Sequence, residues 1–296
     1  MMNTEQSLSQ FKNIDTWSDV EILSALVGGQ ERAVAAVRQA IPQIVIAAEA
    51  LAKNLRDGGK LYYAGAGSSI RIGVQDGSEL PATFNMSEDK IGYLIAGGRN
   101  AMFGTFADSE DDAGEGERAA SSLLPKDTLI AIAASGATLY TVAAAKCAKD
   151  NGATVIAIVN NQSSELAAAS NFEIFLNSGA EVIAGSTRMG AGTAQKAAIN
   201  LLSTLAYVKL GAVYDGMMVD VQAGNIKLKE RARRIVSAIS GVEIQEAMAA
   251  LDATNGEVKS AILICAGVSS IEQARKILAD KNGNLRLALK ELCLQS

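Results

Sequence analysis

Hydrophobic and polar positions along this chain change rhythm twice. Over residues 19–57 apolar residues recur at helical spacing, with Asp19 a candidate cap for a short first helix and 33–55 the longest periodic stretch. Asp57-Gly58-Gly59 predicts the stop. The pattern then becomes short apolar runs rich in β-branched residues: KLYYAG (60–65), IGYLIAG (91–97), TLIAIAA (128–134), TVIAIVN (154–160) and FEIFLN (172–177). Helical segments at about 68–78, 101–122, 138–150 and 163–170 separate most of them. Continuously apolar strands alternating with helices predict a parallel sheet covered on both faces. A small-residue helix follows at 193–210, and 227–296 reads as helix–turn–helix throughout, broken at Ser240-Gly241, Asn255-Gly256, Gly267 and Asn282-Gly283.

The expected architecture is therefore α/β: a doubly wound, five-stranded parallel sheet over 59–220. An N-terminal arm and helices (1–58) precede it, and a small helical C-terminal domain (227–296) follows. Composition says what fills the core. Hydrophobic residues make up 49% of the 296 positions and aromatics only 4%, so Ala, Val, Ile and Leu must do the packing.

The chain has no histidine. That excludes Ser-His-Asp and Cys-His mechanisms and His-ligated metals, and leaves proton transfer to Glu, Asp, Lys, Tyr or Cys. The net charge of -5 gives no general attraction for nucleic acid or anionic lipid, and KLKERARR (227–234) reads as a solvated helix face. Cys147, Cys265 and Cys293 are scattered and odd in number, which fits small buried apolar residues rather than a disulfide framework or a metal knuckle. The first fifteen residues carry no apolar signal core, and no apolar run reaches the ~18–20 residues of a membrane span. A cytoplasmic chain with no metal, cofactor, membrane or nucleic-acid partner is expected.

Ligands of an open parallel sheet bind beyond the carboxyl ends of its strands. After the first run comes Ala66-Gly67-Ser68-Ser69, and after the third Ser135-Gly136-Ala137-Thr138, each opening a helix. Gly67, Ser68, Ser69, Ser135, Gly136 and Thr138 thus offer amides, hydroxyls and positive helix ends to a phosphate. A third segment, 185–193, reads equally well as a connection. GAGSSI departs from the dinucleotide fingerprint because Ile70 occupies its third glycine position, and GxxxxGK[ST] is absent. A monophosphate ester fits better than NAD or ATP. Two acids stand on the expected side: Glu79 in Asp76-Gly77-Ser78-Glu79, and Glu110 in Asp108-Ser109-Glu110-Asp111-Asp112. On the residues alone either could be an exposed acid.

The pieces GAGSSIRIGVQDGSELPATF (65–84), LIAGGRNA (94–101), DSEDDA (108–113), IAASGATLYTV (132–142), GSTRMGAGTAQKAAINLLSTLAYVKLG (185–211) and MVDVQAGNIKLKERARRIV (218–236) resemble the sugar isomerase (SIS) domain. More narrowly they resemble the bacterial N-acetylmuramic acid 6-phosphate etherases, and the C-terminal region is similar to that family's small helical domain. The resemblance implies a lyase of amino sugar catabolism and cell-wall recycling. It would remove D-lactate from carbon 3 of a ring-opened amino sugar phosphate by elimination and then add water. It also implies a homodimer, with Glu79 as acid and Glu110 as base.

Departures fall on the ligand side. Ile70 stands where the family has Gly, Ala137 where it has Arg, Leu80 and Ala82 in its CPPTF segment, and Gly190 where it has Lys. The arm keeps only Thr4-Glu5-Gln6 of a longer run. Ile70 is expected to narrow the first loop, and Ala137 to remove a cation. These two changes favour the alternative of a non-catalytic sugar-phosphate regulator. A third reading, aldose–ketose isomerase, fits less well because such enzymes of this fold often open the ring with His.

Overall fold

The structure is a computed structural model that describes residues 3–104, 107–221 and 226–295. Two helices come first, α1 (Asp19–Gln39) and α2 (Ile41–Arg56). The cap of α1 is Ser18, one residue before the expected Asp19: its Oγ accepts from the Glu21 amide while its own amide donates to Glu21 Oε2 at 2.9 Å. The periodic stretch 33–55 breaks at Ala40, after which α2 starts with Pro42 in its first turn.

The next elements alternate: β1 (Leu61–Gly65), α3 (Gly67–Phe84), β2 (Ile91–Ile95), α4 (Ala107–Glu110), α5 (Ala113–Ala120), β3 (Thr128–Ala133), α6 (Leu139–Asp150), β4 (Thr154–Val159), α7 (Glu165–Ala168) and β5 (Phe172–Phe175). All five expected strands are present, in the order β2-β1-β3-β4-β5 with every pairing parallel. The helix expected over 101–122 is instead two short ones. Asp112 accepts from the Glu115 amide at 2.8 Å and restarts the helix there, while Gly97 and Gly98 turn the chain ahead of it with positive φ.

After the sheet come α8 (Gly190–Lys209), a two-stranded hairpin of β6 (Val213–Tyr214) and β7 (Met217–Met218), and five helices: α9 (Ile226–Ser240), α10 (Ile244–Ala253), α11 (Val258–Cys265), α12 (Ile271–Asp280) and α13 (Leu285–Gln295). Helix α8 starts three residues before the expected 193 because Glu181, 6% exposed, accepts from the Gly190 and Ala191 amides at 2.9 Å each.

The described residues form two compact units. The first comprises 1–77 and 89–205, the second 78–88 and 206–296. Arm, N-terminal helices and sheet thus share one unit, and the C-terminal helices belong to the other together with 78–88.

In the first unit the core lies on both faces of the sheet. Ala131, Val155, Ala157 and Val159 pack against Ala144, Ala145 and Ala148 of α6. On α3, Asp76 is 5% exposed and accepts from Tyr63 Oη (2.6 Å), Asn200 Nδ2 (2.5 Å) and Ser203 Oγ (3.0 Å), tying β1, α3 and α8 together. Burial outweighs these donors and pushes the Asp76 carboxyl above its usual range. No single helix among the described residues is long and apolar enough to cross a membrane.

Small residues allow close packing, and Gly116 on α5 offers a test between two helices. A Cβ there would lie 2.1 Å from the Tyr140 carbonyl oxygen, a backbone atom of α6. Gly116→Ala should cost about 1–3 kcal/mol by forcing the two helices apart. The readout is the urea midpoint of unfolding, and an unchanged midpoint would contradict the close approach.

Candidate active site

The chain order explains where a cavity opens. From β1 the chain moves to β2 on one side, then returns to place β3 on the other. The loops leaving β1 and β3 therefore part company at neighbouring carboxyl ends, which is the switch point where open α/β sheets bind ligands. A cavity of about 400 Å³ lies there, within the first unit. Its lining brings together Gly67, Ser68, Ser69, Ser135, Thr138 and Glu110 from the residues singled out in the sequence.

Glu110 ends the short helix α4, and its Oε1 approaches Gly67 so closely that a Cβ on that glycine would lie 3.1 Å from it. Gly67 has φ +52°, so both its conformation and this contact favour glycine. Burial, reinforced by neighbouring Asp111, pushes the Glu110 carboxyl above the ordinary 4.5.

The hydroxyls differ in what they can offer. Ser69 Oγ donates to Gln195 Oε1 at 3.0 Å, and Gln195 Nε2 donates in turn to Asn160 Oδ1 at 3.0 Å. A hydroxyl has one proton, so Ser69 supports the loop through this chain. Ser135 Oγ accepts from the Ala137 amide at 3.2 Å, which leaves its own proton for a ligand. Thr138 precedes α6 without capping it through its side chain.

Three of the singled-out residues stand elsewhere. Gly136 does not line the cavity. Its amide donates to the Ala133 carbonyl at 3.1 Å, and its φ of +70° turns the loop close to Ser164. Ile70 is 2% exposed inside α3 and faces the core beside Gly65, so it neither narrows the loop nor takes positive φ. Glu79 is exposed in the later turns of α3, belongs to the second unit, and is absent from the cavity lining.

Other lining residues were not singled out. Arg71 is the cation of the lining, and its Nη2 donates to the carbonyls of Ala101 (3.0 Å) and Gly104 (2.7 Å). It thereby holds the segment that leads towards α4, while its Nε is buried without a protein partner among the described residues. Arg71 follows the first loop closely in sequence, but nothing in its spacing signals that it turns back to carbonyls thirty residues on. Thr4, Glu5 and Thr187 also line the cavity. Ala137 does not.

A larger cavity, about 650 Å³, lies in the second unit. Its buried cation, Lys259, is already bound to Asp220 Oδ2 (2.6 Å) and to the Gly283 carbonyl (2.9 Å). Among the described residues no cluster of three or more Cys, Asp or Glu side chains is arranged to hold a metal ion.

A family model of the SIS domain matches residues 30–160. The chain is 40% identical over 290 residues to the N-acetylmuramic acid 6-phosphate etherase of Streptomyces avermitilis, covering 97% of this chain and 93% of that protein. It is 44% identical over 268 residues to the protein of the same name from Symbiobacterium thermophilum, covering 90% and 89%. Among solved structures, a Bacteroides fragilis protein assigned as a phosphosugar isomerase involved in capsule formation superposes with a TM-score of 0.50 at 20% identity, covering 67% of this chain and 95% of that one. This last likeness speaks to the fold.

The raised Glu110 carboxyl has a thermodynamic signature. The folded chain holds that proton more tightly than the unfolded chain, so ionising Glu110 opposes folding. The cost is absent well below pH 4.5, grows as pH rises through the raised value, and is complete above it. Glu110→Gln should therefore unfold at a higher temperature than the parent at neutral pH, with the gap closing as the solution is acidified. Superimposable melting profiles at every pH would contradict the assignment.

Proposed function

The chain belongs to the N-acetylmuramic acid 6-phosphate etherase family, and from that membership we propose that it cleaves the D-lactyl ether of N-acetylmuramic acid 6-phosphate, giving N-acetylglucosamine 6-phosphate and D-lactate. The observation that carries the reading is sequence identity of about two positions in five over nearly the whole chain, with the family's glutamate, Glu110, in a cavity beside a helix start suited to phosphate.

In this reading the phosphate sits on Ser68, Ser135, Thr138 and the first amides of α3, whose positive end faces the anion. Glu110 takes the proton from carbon 2, next to the aldehyde of the ring-opened sugar. The carbon 3–oxygen bond breaks, a carbon 2–carbon 3 double bond forms, and the lactyl oxygen is protonated as it leaves. Water then adds to carbon 3 while carbon 2 regains a proton. A carboxylate held above its ordinary range is a better base near neutrality than an unperturbed one.

The acid is assigned to Glu79 by the family motif. Because Glu79 is exposed and outside the lining of its own chain's cavity, in this reading it serves the cavity of a second subunit. An exposed apolar stripe on α1, formed by Val20, Leu23, Val27 and Val34, is consistent with a homodimer. The regulator alternative loses one of its two supports, since Ile70 belongs to the core; Ala137 remains.

Glu110→Gln and Glu79→Gln should each keep sugar-phosphate binding and lower lactate release at least ~10²-fold, and the parent's rate should rise with pH through a value above that of an ordinary glutamate. A near-normal rate in either variant removes that residue's role. Co-expressing the two inactive variants should restore about a quarter of parental activity, because half the dimers are mixed and each mixed dimer contains one complete site. Absence of complementation would mean that Glu79 does not act across subunits.

A further inference from the structure

The N-terminal arm supplies a carboxylate to the cavity that the mechanism above does not use. Thr4 is 1% exposed although it lies only three residues from the start of the sequence. Its Oγ1 accepts from Asn161 Nδ2 at 3.1 Å, and its carbonyl accepts from the Gly185 amide at 3.1 Å. Asn161 follows β4 and also donates to the Ala134 carbonyl at 2.8 Å. The arm is thus pinned across the carboxyl end of the sheet, at the edge where the cavity opens.

The next residue, Glu5, lines the cavity. Its carboxylate rests against Gly185, where a Cβ would lie 2.9 Å from Oε2, and Gly185 has φ +76°. Among the described residues the Glu5 carboxylate has no hydrogen-bond or ion-pair partner. A side chain anchored by its neighbour, seated against a bare glycine and left without a protein partner has acceptor capacity to offer a ligand. The sugar that the proposed reaction acts on carries donors along its length: hydroxyls beyond carbon 3 and an amide N–H on carbon 2.

We propose that Glu5 is a substrate-binding residue of this site, accepting hydrogen bonds from hydroxyl or amide donors of the amino sugar while the phosphate is held separately by the β1 and β3 loops. The proposal rests on the etherase reading for the identity of the sugar, and on the cavity alone for the role of the carboxylate. It differs from the tasks given to Glu79 and Glu110, because it moves no proton. Glu5 sets affinity and orientation.

The test uses the full chain with Glu5→Ala and Glu5→Gln. Binding of N-acetylglucosamine 6-phosphate and of inorganic phosphate is followed by calorimetry, and lactate release by a kinetic assay. Glu5→Ala should weaken the sugar phosphate and raise KM at least ~10-fold, the scale of one hydrogen bond to a charged group. Inorganic phosphate should bind Glu5→Ala within about twofold of the parent, and Glu5→Gln, which keeps one carbonyl acceptor, should fall between the two. Unchanged sugar-phosphate affinity and KM overturn the proposal. So does an equal loss of both ligands, which would mean that the residue only braces the arm. If the parent binds N-acetylglucosamine 6-phosphate but releases no lactate, the etherase reading fails while the affinity comparison still decides the role of Glu5. A parent that binds no sugar phosphate overturns both.

Discussion

Two parallel strands at the centre of the sheet, β1 and β3, send the chain in opposite directions, and the rest of the cavity depends on that parting. Loops that diverge from adjacent strand ends cannot cover the gap between them. Everything nearby either exploits the gap or stiffens its rim. Helix α3 points its start at it, and α4 carries Glu110 over it. The relay from Ser69 through Gln195 to Asn160 supports one wall, and Arg71 grips the carbonyls of Ala101 and Gly104 on another. The cluster around Asp76 fixes the same helix to β1 and α8 from behind.

If the cavity receives an anion as proposed, its charge arrangement is unusual. One guanidinium and two carboxylates line it, and the guanidinium is half committed to backbone carbonyls. Attraction must come largely from helix ends and hydroxyls, which recognise a phosphate monoester without drawing in polyanions in general.

Most of the scaffold was legible because buried parallel strands leave an unbroken apolar signature. Each of the five runs became a strand within two residues of its expected end, and every break expected among the C-terminal helices falls between elements. The first and third loops could be named for the same reason: they follow directly from the strands. What stayed hidden depends on contacts between distant segments. Ile70 looked like an obstruction because its motif position is a loop position, whereas tertiary packing turns it into the core. Gly136 looked like a ligand, but its amide already serves the turn. Glu5 stood out only as part of the retained Thr4-Glu5-Gln6, with no role to give it, because a polar arm reads as solvated until Asn161 and Gly185 are seen to hold it. The Ser18 cap and the restart at Asp112 are side-chain competitions that shift boundaries by a residue or split a helix, and periodicity does not resolve them.

The burial of Thr4 has a practical corollary for anyone handling this protein. Affinity tags, fusion partners and trimming by aminopeptidases are usually regarded as harmless at a polar leader. Here any of them that alters the residues leading into Thr4 acts beside side chains that line the cavity. Preparations that differ in the residues leading into Thr4 should be expected to behave as mixtures with different apparent potency rather than as one protein.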